Sequence, residues 1–529
     1  MRDYGMRISF ILFLFLIFSC STDSQDSTLE EVPMEEINPL DVQVQQARNI
    51  ILEDIANKGN ASDLRVSFER APNEENIKEY RVIIAKTSTT LTLELGESLS
   101  RDRFLTVNPN GSNVSLSLPE TLLDSSGNVI SEGNSYTAYV LSIADGIAAG
   151  ISSLSTSSNA LNFLNELTKL ENLILEEMGV WNINALAVAT VENGTITYAK
   201  GFGIHNQQDG ISTSDNTLFV TMSLAKLVVA VAVMQQVDLG NIDLDSDVSS
   251  YIGFDLRHPN FPEVTITPRM LMSHQAGLAN PDASEIPELN LSYQAGTAPA
   301  LSEWIPDYLV PSGPNYNPLI WKEFAPGTGN HISSNVGMSI LAYAVEMVSG
   351  QDYRNYTENN IFIPLGMINT KHRMGQPGSY EDALLSDNFS ASGNLLLEYL
   401  GSPVYPSVFL RTSVMEWSNF LIMVLNKGLY ENSRILNEAS IDEMLQIAYP
   451  NANLAFGSGV GLVWRNNFNN WIGHTGGGFI TSSTDVNLGL GKGVIILCNQ
   501  RQAFTVSPDI TNGKIYWAIH KYLETTNIE

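Results

Sequence analysis

Apolar positions are densest in the stretch from Thr217 to Asp247, TLFVTMSLAKLVVAVAVMQQVDLGNIDLDSD. Leu218 to Met222 predicts a short strand, and the following run predicts a helix that stops at Gly240. From Leu227 to Val233 that helix has no polar face, so it belongs inside a domain rather than on its surface. Ser223 and Lys226 stand at its start, three residues apart and therefore on one face. Upstream, between about Asp41 and Ser158, the pattern changes to partial alternation. DLRVSFER, EYRVIIAK and YTAYVLSIA predict strands, and NPNGSN and DSSGN predict turns between them. Next, Leu161, Leu164, Leu167, Leu170 and Ile174 predict an amphipathic helix closed by Gly179. INALAVATV and TITYAKGFG follow, joined through Glu192-Asn193-Gly194, a strong hairpin signal.

The first twenty residues have a pattern of their own. Arg2 and Arg7 precede an apolar run from Ile8 to Phe18, short for a membrane span and suited to a signal-peptide core. Its end, Ile17-Phe18-Ser19-Cys20, resembles the lipobox of bacterial lipoproteins, which implies cleavage before Cys20 and lipidation of that cysteine. The polar segment STDSQDSTLEE reads as a tether, so a lipid anchor in the bacterial cell envelope is expected. The expected organisation is a signal peptide over 1–20, a tether over 21–40, a β-sandwich over 41–158 and a second domain over 159–529. The Ser-rich ISSLSTSSN marks the boundary between the last two. The sandwich resembles a fibronectin type III module, which implies a spacer or binding role.

Composition narrows the function classes. Of 529 residues, 57 are acidic and 28 basic, a net charge of −29, which excludes a nucleic-acid partner that needs a basic face. With Cys20 acylated, Cys498 has no partner for an intramolecular disulfide and is expected in the core. There is no His-Glu-x-x-His and no cysteine cluster, so neither a metal nor a cofactor is expected.

The candidate chemistry is nucleophilic. A hydroxyl at the start of a buried helix beside a desolvated amine can be activated, because burial lowers the amine's pKa and lets it accept the proton. No Gly-x-Ser-x-Gly elbow surrounds Ser223, which argues against an α/β-hydrolase. Ser-x-x-K alone is weak, but other segments accompany it in order. They are AKGFG, IDLDSDVSSYI, ITPRMLMSHQAGL, PGTGNHISSNVG, YPSVFLRTSVMEWSNFL and GHTGGG ahead of GVIILCNQ. With these, the chain from about Asn159 resembles the serine β-lactamase and penicillin-binding-protein superfamily. It is most similar to the branch holding class C β-lactamases, D-alanyl-D-alanine carboxypeptidases and related esterases.

That resemblance implies an α+β fold, an antiparallel sheet flanked by helices plus a helical lobe. It implies Ser223 as the acylated nucleophile and Lys226 as its base. His474-Thr475-Gly476 stands in place of Lys-Thr-Gly, with Thr475 and His474 expected beside the substrate. The N–H groups of Ser223 and Gly477 are the implied oxyanion donors. The substrate would be a peptidoglycan D-alanyl peptide, a β-lactam or a carboxylic ester. The chain departs from the branch at the second motif, where Tyr-x-Asn is usual. Aligned on the following Ser-Asn-x-Gly, Ser333-Ser334-Asn335 reads as Ser-x-Asn, with Ser333 as the expected proton relay and Asn335 on the asparagine; aligned on the preceding Pro-Gly-Thr, Ile332 takes the tyrosine's place. His331 is the alternative base, and His274 is expected to hold a turn. A catalytically inactive binding protein on the same fold, and a glycan-binding sandwich, are the rival readings. The segment from Ala279 to Glu323 is expected to form a wall or lid of the cleft. Oligomeric state is not legible.

Overall fold

The computed structural model describes residues 38–56, 58–280, 293–294, 299–372, 385–389, 395–396, 400–450, 452, 459–477, 480–500 and 514–525. The signal, tether and Cys20 expectations lie outside these residues. No helix among the described residues is long and apolar enough to cross a membrane. The chain divides into two compact units, Met1–Asn165 and Glu166–Glu529.

In the first unit two sheets share one core. One sheet has the order β1 (Arg48–Asp54), β2 (Leu64–Glu69), β5 (Val114–Ser117). The other runs β4 (Leu105–Val107), β3 (Ile77–Lys86), β6 (Asn134–Ala144), β7 (Ser153–Leu154), with β8 (Leu161–Phe163) also on β6. A short helix, α1 (Leu93–Ser98), lies between β3 and β4 in the chain. Val66 and Phe68 of the first sheet meet Tyr80, Val82, Ala138 and Val140 of the second in the core. The Ser-rich stretch that reads as a boundary is built into this unit. Ser158 Oγ accepts from Ala138 N and Ser155 Oγ from Val140 N, both at 2.9 Å, so hydroxyls stand in for ladder carbonyls. Leu161, expected on a helix, pairs with Tyr136 instead.

The second unit opens with α2 (Glu166–Trp181), whose inner face carries Leu170, Ile174 and Met178. Gly179 sits within that helix, and the left-handed turn that follows it is at Asn182, φ 52°. β9 (Ala185–Glu192) and β10 (Thr195–Asn206) form the expected hairpin, with Asn193 and Gly194 both at positive φ. They belong to a seven-stranded sheet with β11 (Ile211–Ser212) beyond β10. On the other side of β9 come β23 (Lys492–Cys498), β22 (Thr481–Asn487), β21 (Trp471–Gly477) and β20 (Arg465–Phe468), antiparallel throughout.

Between β11 and β20 the chain runs through β12 (Phe219–Val220), α3 (Ala225–Asp238), α4 (Ser249–Ile252), α5 (Pro268–Met272) and β13 (Tyr293–Gln294). It continues through α6 (Leu301–Leu309), α7 (Asn335–Ser349), α8 (Tyr353–Thr357) and the two-residue strands β14 (Asn388–Phe389), β15 (Leu395–Leu396) and β16 (Leu400–Gly401). α9 (Tyr405–Val408), β17 (Arg411–Thr412), α10 (Val414–Leu425), β18 (Leu429–Tyr430), β19 (Ser433–Arg434) and α11 (Glu438–Leu445) complete it, and α12 (Lys514–Thr525) follows β23. The resulting α+β fold has helices on the sheet and a helical lobe.

α3 is the centre of the larger core, with every residue from Ala225 to Met234 buried. Val228, Val229, Val231 and Val233 are weak helix formers. Burial worth about 1.5–3 kcal/mol for each large apolar side chain overrides that preference. The strand expected over Leu218 to Met222 is shorter, Phe219–Val220, because Met222 turns to φ 48° just before Ser223. Of the segment expected to form a wall, 279–280, 293–294 and 299–323 are described, and the last of these packs largely into the core through Leu301, Trp304, Ile305, Tyr308 and Trp321.

Candidate active site

Ser223 lies in a single 3-10 turn, Met222–Leu224, that leads directly into α3. Met222 before it is held in the left-handed region, a strained backbone that the surrounding contacts must impose. Those contacts come from β22 and from the residue before β17. Ser482 Oγ donates to Thr221 O at 2.5 Å, and Thr221 N donates to Leu410 O at 2.8 Å.

One turn into the helix, Lys226 is fully buried. Its Nζ lies 2.7 Å from Ser223 Oγ and donates to Ser407 O at 3.2 Å. Burial, with Arg465 adding repulsion, lowers its pKa to about 7. Among the described residues no carboxylate pairs with it. At neutral pH a large share of the amine is therefore unprotonated and sits within hydrogen-bond reach of the hydroxyl, the geometry a general base requires.

The second motif is cradled by the segment His274 to Asn280. His274, itself at φ 59°, accepts from Ser334 N through Nδ1 at 3.3 Å, and its carbonyl accepts from Ile332 N at 2.9 Å. Gln275 holds Gly327 N and Gly329 N, at 2.9 and 3.1 Å. Asn280 donates to Ser333 O and accepts from Asn335 N. His274 thus fixes the loop that carries the motif. Ser334, not Ser333, caps α7 by accepting from Gly337 N at 2.9 Å. Ser333 is exposed, and its hydroxyl is not among the partners of Lys226. Asn335 approaches the site through its backbone, whose carbonyl accepts from Ser407 Oγ at 2.8 Å. His331 packs edge-to-face on His274, ring centroids 5.4 Å apart, and burial lowers its pKa to about 4. That makes it a weak base.

The third motif is β21. β20 pairs with β21 only as far as Arg465 opposite Gly473, so His474 to Gly477 have β22 on one side and no β20 partner on the other. Gly476 crosses the Ser223 turn in close contact. A Cβ there would lie 2.3 Å from Thr221 O and 2.2 Å from Ser482 Oγ, so the approach requires glycine. A Cβ at Gly477 would meet nothing within 4 Å, so the protein itself does not demand glycine there. His474 is buried, its Nδ1 donates to Thr475 O at 2.7 Å, and burial beside Arg465 and Lys226 keeps it neutral.

The cation beside Thr475 is Arg465, which the sequence reading did not single out. One guanidinium nitrogen donates to Thr475 Oγ1 at 2.9 Å, and its Nε is sealed from solvent with no hydrogen-bond partner among the described residues. Burial lowers its pKa to about 10, so it is charged at neutral pH. The only sequence signal for it was its place nine residues before His474, at the start of β20. Behind it lies Asp485, fully buried, which accepts from Tyr516 Oη at 2.9 Å and lies 3.2 Å from His520 Nε2. Lys226, Arg465, His274, His331 and His474 thus gather mutually repelling cationic or potentially cationic groups at one cleft. Among the described residues no group of acidic, His or Cys side chains is placed to hold a metal ion.

The chain is similar to several known proteins. PbpX of Bacillus subtilis (strain 168) is 30% identical over 178 residues, 34% of this chain and 38% of that protein. Protein flp of Staphylococcus aureus (strain MRSA252) is 22% identical over 379 residues, 67% of this chain and 68% of that protein. The chain therefore spans well under half the length of PbpX and about two thirds of flp. Among solved structures, a class C beta-lactamase superposes with a TM-score of 0.53 at 17% identity, covering 68% of this chain and 97% of that one. The Beta-lactamase family profile matches residues 170–512, and the chain belongs to that family.

Proposed function

We propose that the second unit is an active serine hydrolase that cleaves an ester or amide through an acyl-Ser223 intermediate. The observation that carries this reading is the fully buried Lys226, pKa about 7, with Nζ 2.7 Å from Ser223 Oγ. Lys226 takes the hydroxyl proton as Ser223 attacks the carbonyl. The backbone N–H groups of Ser223 and Gly477 receive the oxyanion, and the open edge of β21 receives the substrate backbone. Arg465 and Thr475 then take an anionic group of the substrate, as expected of a β-lactam or a D-alanyl peptide. The likeness to penicillin-binding proteins and to a class C beta-lactamase supports the same substrate classes. Asn335 completes the site through its carbonyl, tied to Ser407 Oγ, and Lys226 itself returns the proton to the leaving group. The first unit is a fibronectin type III-like spacer, and Cys20 is the lipid anchor that holds the protein in the cell envelope.

A second reading has one observation in its favour. The Ser333 hydroxyl is not among the partners of Lys226, which suits a site that binds without efficient turnover. Intact-mass spectrometry of the chain from Asp41, mixed with a fluorescent penicillin and separately with a fluorophosphonate, decides between them. Adducts on the wild type and none on Ser223→Ala establish the acyl-serine enzyme. No adduct with either probe leaves a binding protein.

A further inference from the structure

A neutral lysine amine has two N–H donors and one lone pair, and only the lone pair can accept a proton. Which of the three faces the hydroxyl is decided by where the N–H groups are committed. Lys226 Nζ has two partners, Ser223 Oγ and the carbonyl oxygen of Ser407. A carbonyl can only accept, so one N–H is committed to Ser407. Ser407 is fully buried in α9, its N–H donates to Val404 O at 2.9 Å, and its hydroxyl donates to Asn335 O at 2.8 Å. One residue therefore joins the start of α7, which carries the second motif, to the amine in α3.

We propose that Ser407 is a positioning residue for Lys226. Its hydroxyl, tied to Asn335 O, locks its own carbonyl on one N–H of the amine and so holds Nζ where the remaining N–H and the lone pair, and nothing else, can face Ser223. The inference rests on the catalytic role of Lys226 proposed above. In the step it serves, the Ser223 hydroxyl proton moves to Nζ as the Oγ–C bond forms at the substrate carbonyl. The resulting ammonium keeps one N–H on Ser407 O and returns a proton to the leaving group as the scissile bond breaks. No external reductant, oxidant or metal enters the balance.

The test compares wild type, Ser407→Ala and Ser407→Cys in the chain from Asp41. Alanine keeps the carbonyl and removes its tether, while cysteine keeps a weaker donor. Two readouts are used: the fluorophosphonate adduct rate, and the titration midpoint of Lys226 by 15Nζ NMR, assigned with Lys226→Met. A loosened carbonyl stabilises the ammonium less, so the midpoint should fall by about half a pH unit in Ser407→Ala, and less in Ser407→Cys. The adduct rate should fall about tenfold in the same order, with thermal stability accounted for separately. An unchanged midpoint in either folded variant overturns the proposal, even if the rate falls with stability. If the midpoint shifts but the wild type forms no adduct, the positioning role stands and the catalytic reading fails.

Discussion

Lys226 is fully buried beside Arg465, and among the described residues no carboxylate offsets its charge, so its proton is held weakly. The sign for stability follows from linkage. Its folded pKa, about 7, lies below the usual 10.5, so between these values the unfolded chain binds more protons than the native one. Stability from this group therefore rises as pH climbs from about 7 to 10.5, and the penalty is fully present below about pH 7. Lys226→Met should raise stability at neutral pH, on the order of 3 kcal/mol, while lowering the adduct rate at least about 100-fold. Paired melting curves and mass spectrometry check both. In the wild type the adduct rate should climb with pH through a midpoint near 7, as the amine loses its proton. Arg465 gives a different signature. Arg465→Gln should weaken a carboxylate-bearing penicillin about 10- to 100-fold while changing the rate with a neutral ester little, which progress curves with both substrates would show. Equal losses with both would mean that Arg465 is structural.

At the scale of elements, two stretches show why local pattern and final structure part. The valine-rich run of α3 favours strand by propensity, yet its unbroken apolar length and Gly240 made a buried helix legible. Packing against α7 and α9 supplied what propensity lacked. The Ser-rich stretch after β6 reads as a linker because hydroxyl-rich runs usually stay solvated. Here Ser155 and Ser158 accept backbone N–H groups of β6, a role that depends on a partner strand remote in sequence. Ser155→Ala leaves Val140 N without that acceptor. Hydrogen exchange at the Val140 amide should speed up, corresponding to about 1–3 kcal/mol of lost protection, with the Ser223 adduct rate unchanged. Unaltered exchange at Val140 would show that this bond contributes nothing. Met222 belongs to this scale as well. Nothing in its side chain calls for a left-handed backbone, and the turn is imposed by the Thr221 contacts to Ser482 and Leu410.

For the whole molecule, a charge of −29 sets a long-range field that opposes the local cations of the cleft. An anionic substrate is repelled at distance and attracted only on arrival. Raising ionic strength from about 0.01 to 0.15 M shortens the screening length from about 30 to 8 Å. The penicillin adduct rate should then rise about two- to fivefold, while that of an uncharged ester stays level. A rate that falls with salt would show that the cleft's own field dominates the approach.

The sequence alone determined the α+β fold through ordered motifs and one buried helix, and it placed Ser223 and Lys226 one helical turn apart. These are local facts, since helical spacing puts residues three apart on one face wherever the helix lies. Tertiary structure decided what surrounds that pair. The carbonyl of Ser407, the guanidinium of Arg465 and the cradle from His274 to Asn280 come from segments far apart in the chain. Ser333 stands where the motif expects a relay, but Asn280 and the Ser334 cap set the loop so that its hydroxyl leaves Lys226 to Ser407. A motif records which residues are present. The direction of a hydroxyl depends on hydrogen bonds from other elements, and those exist only once the chain has folded.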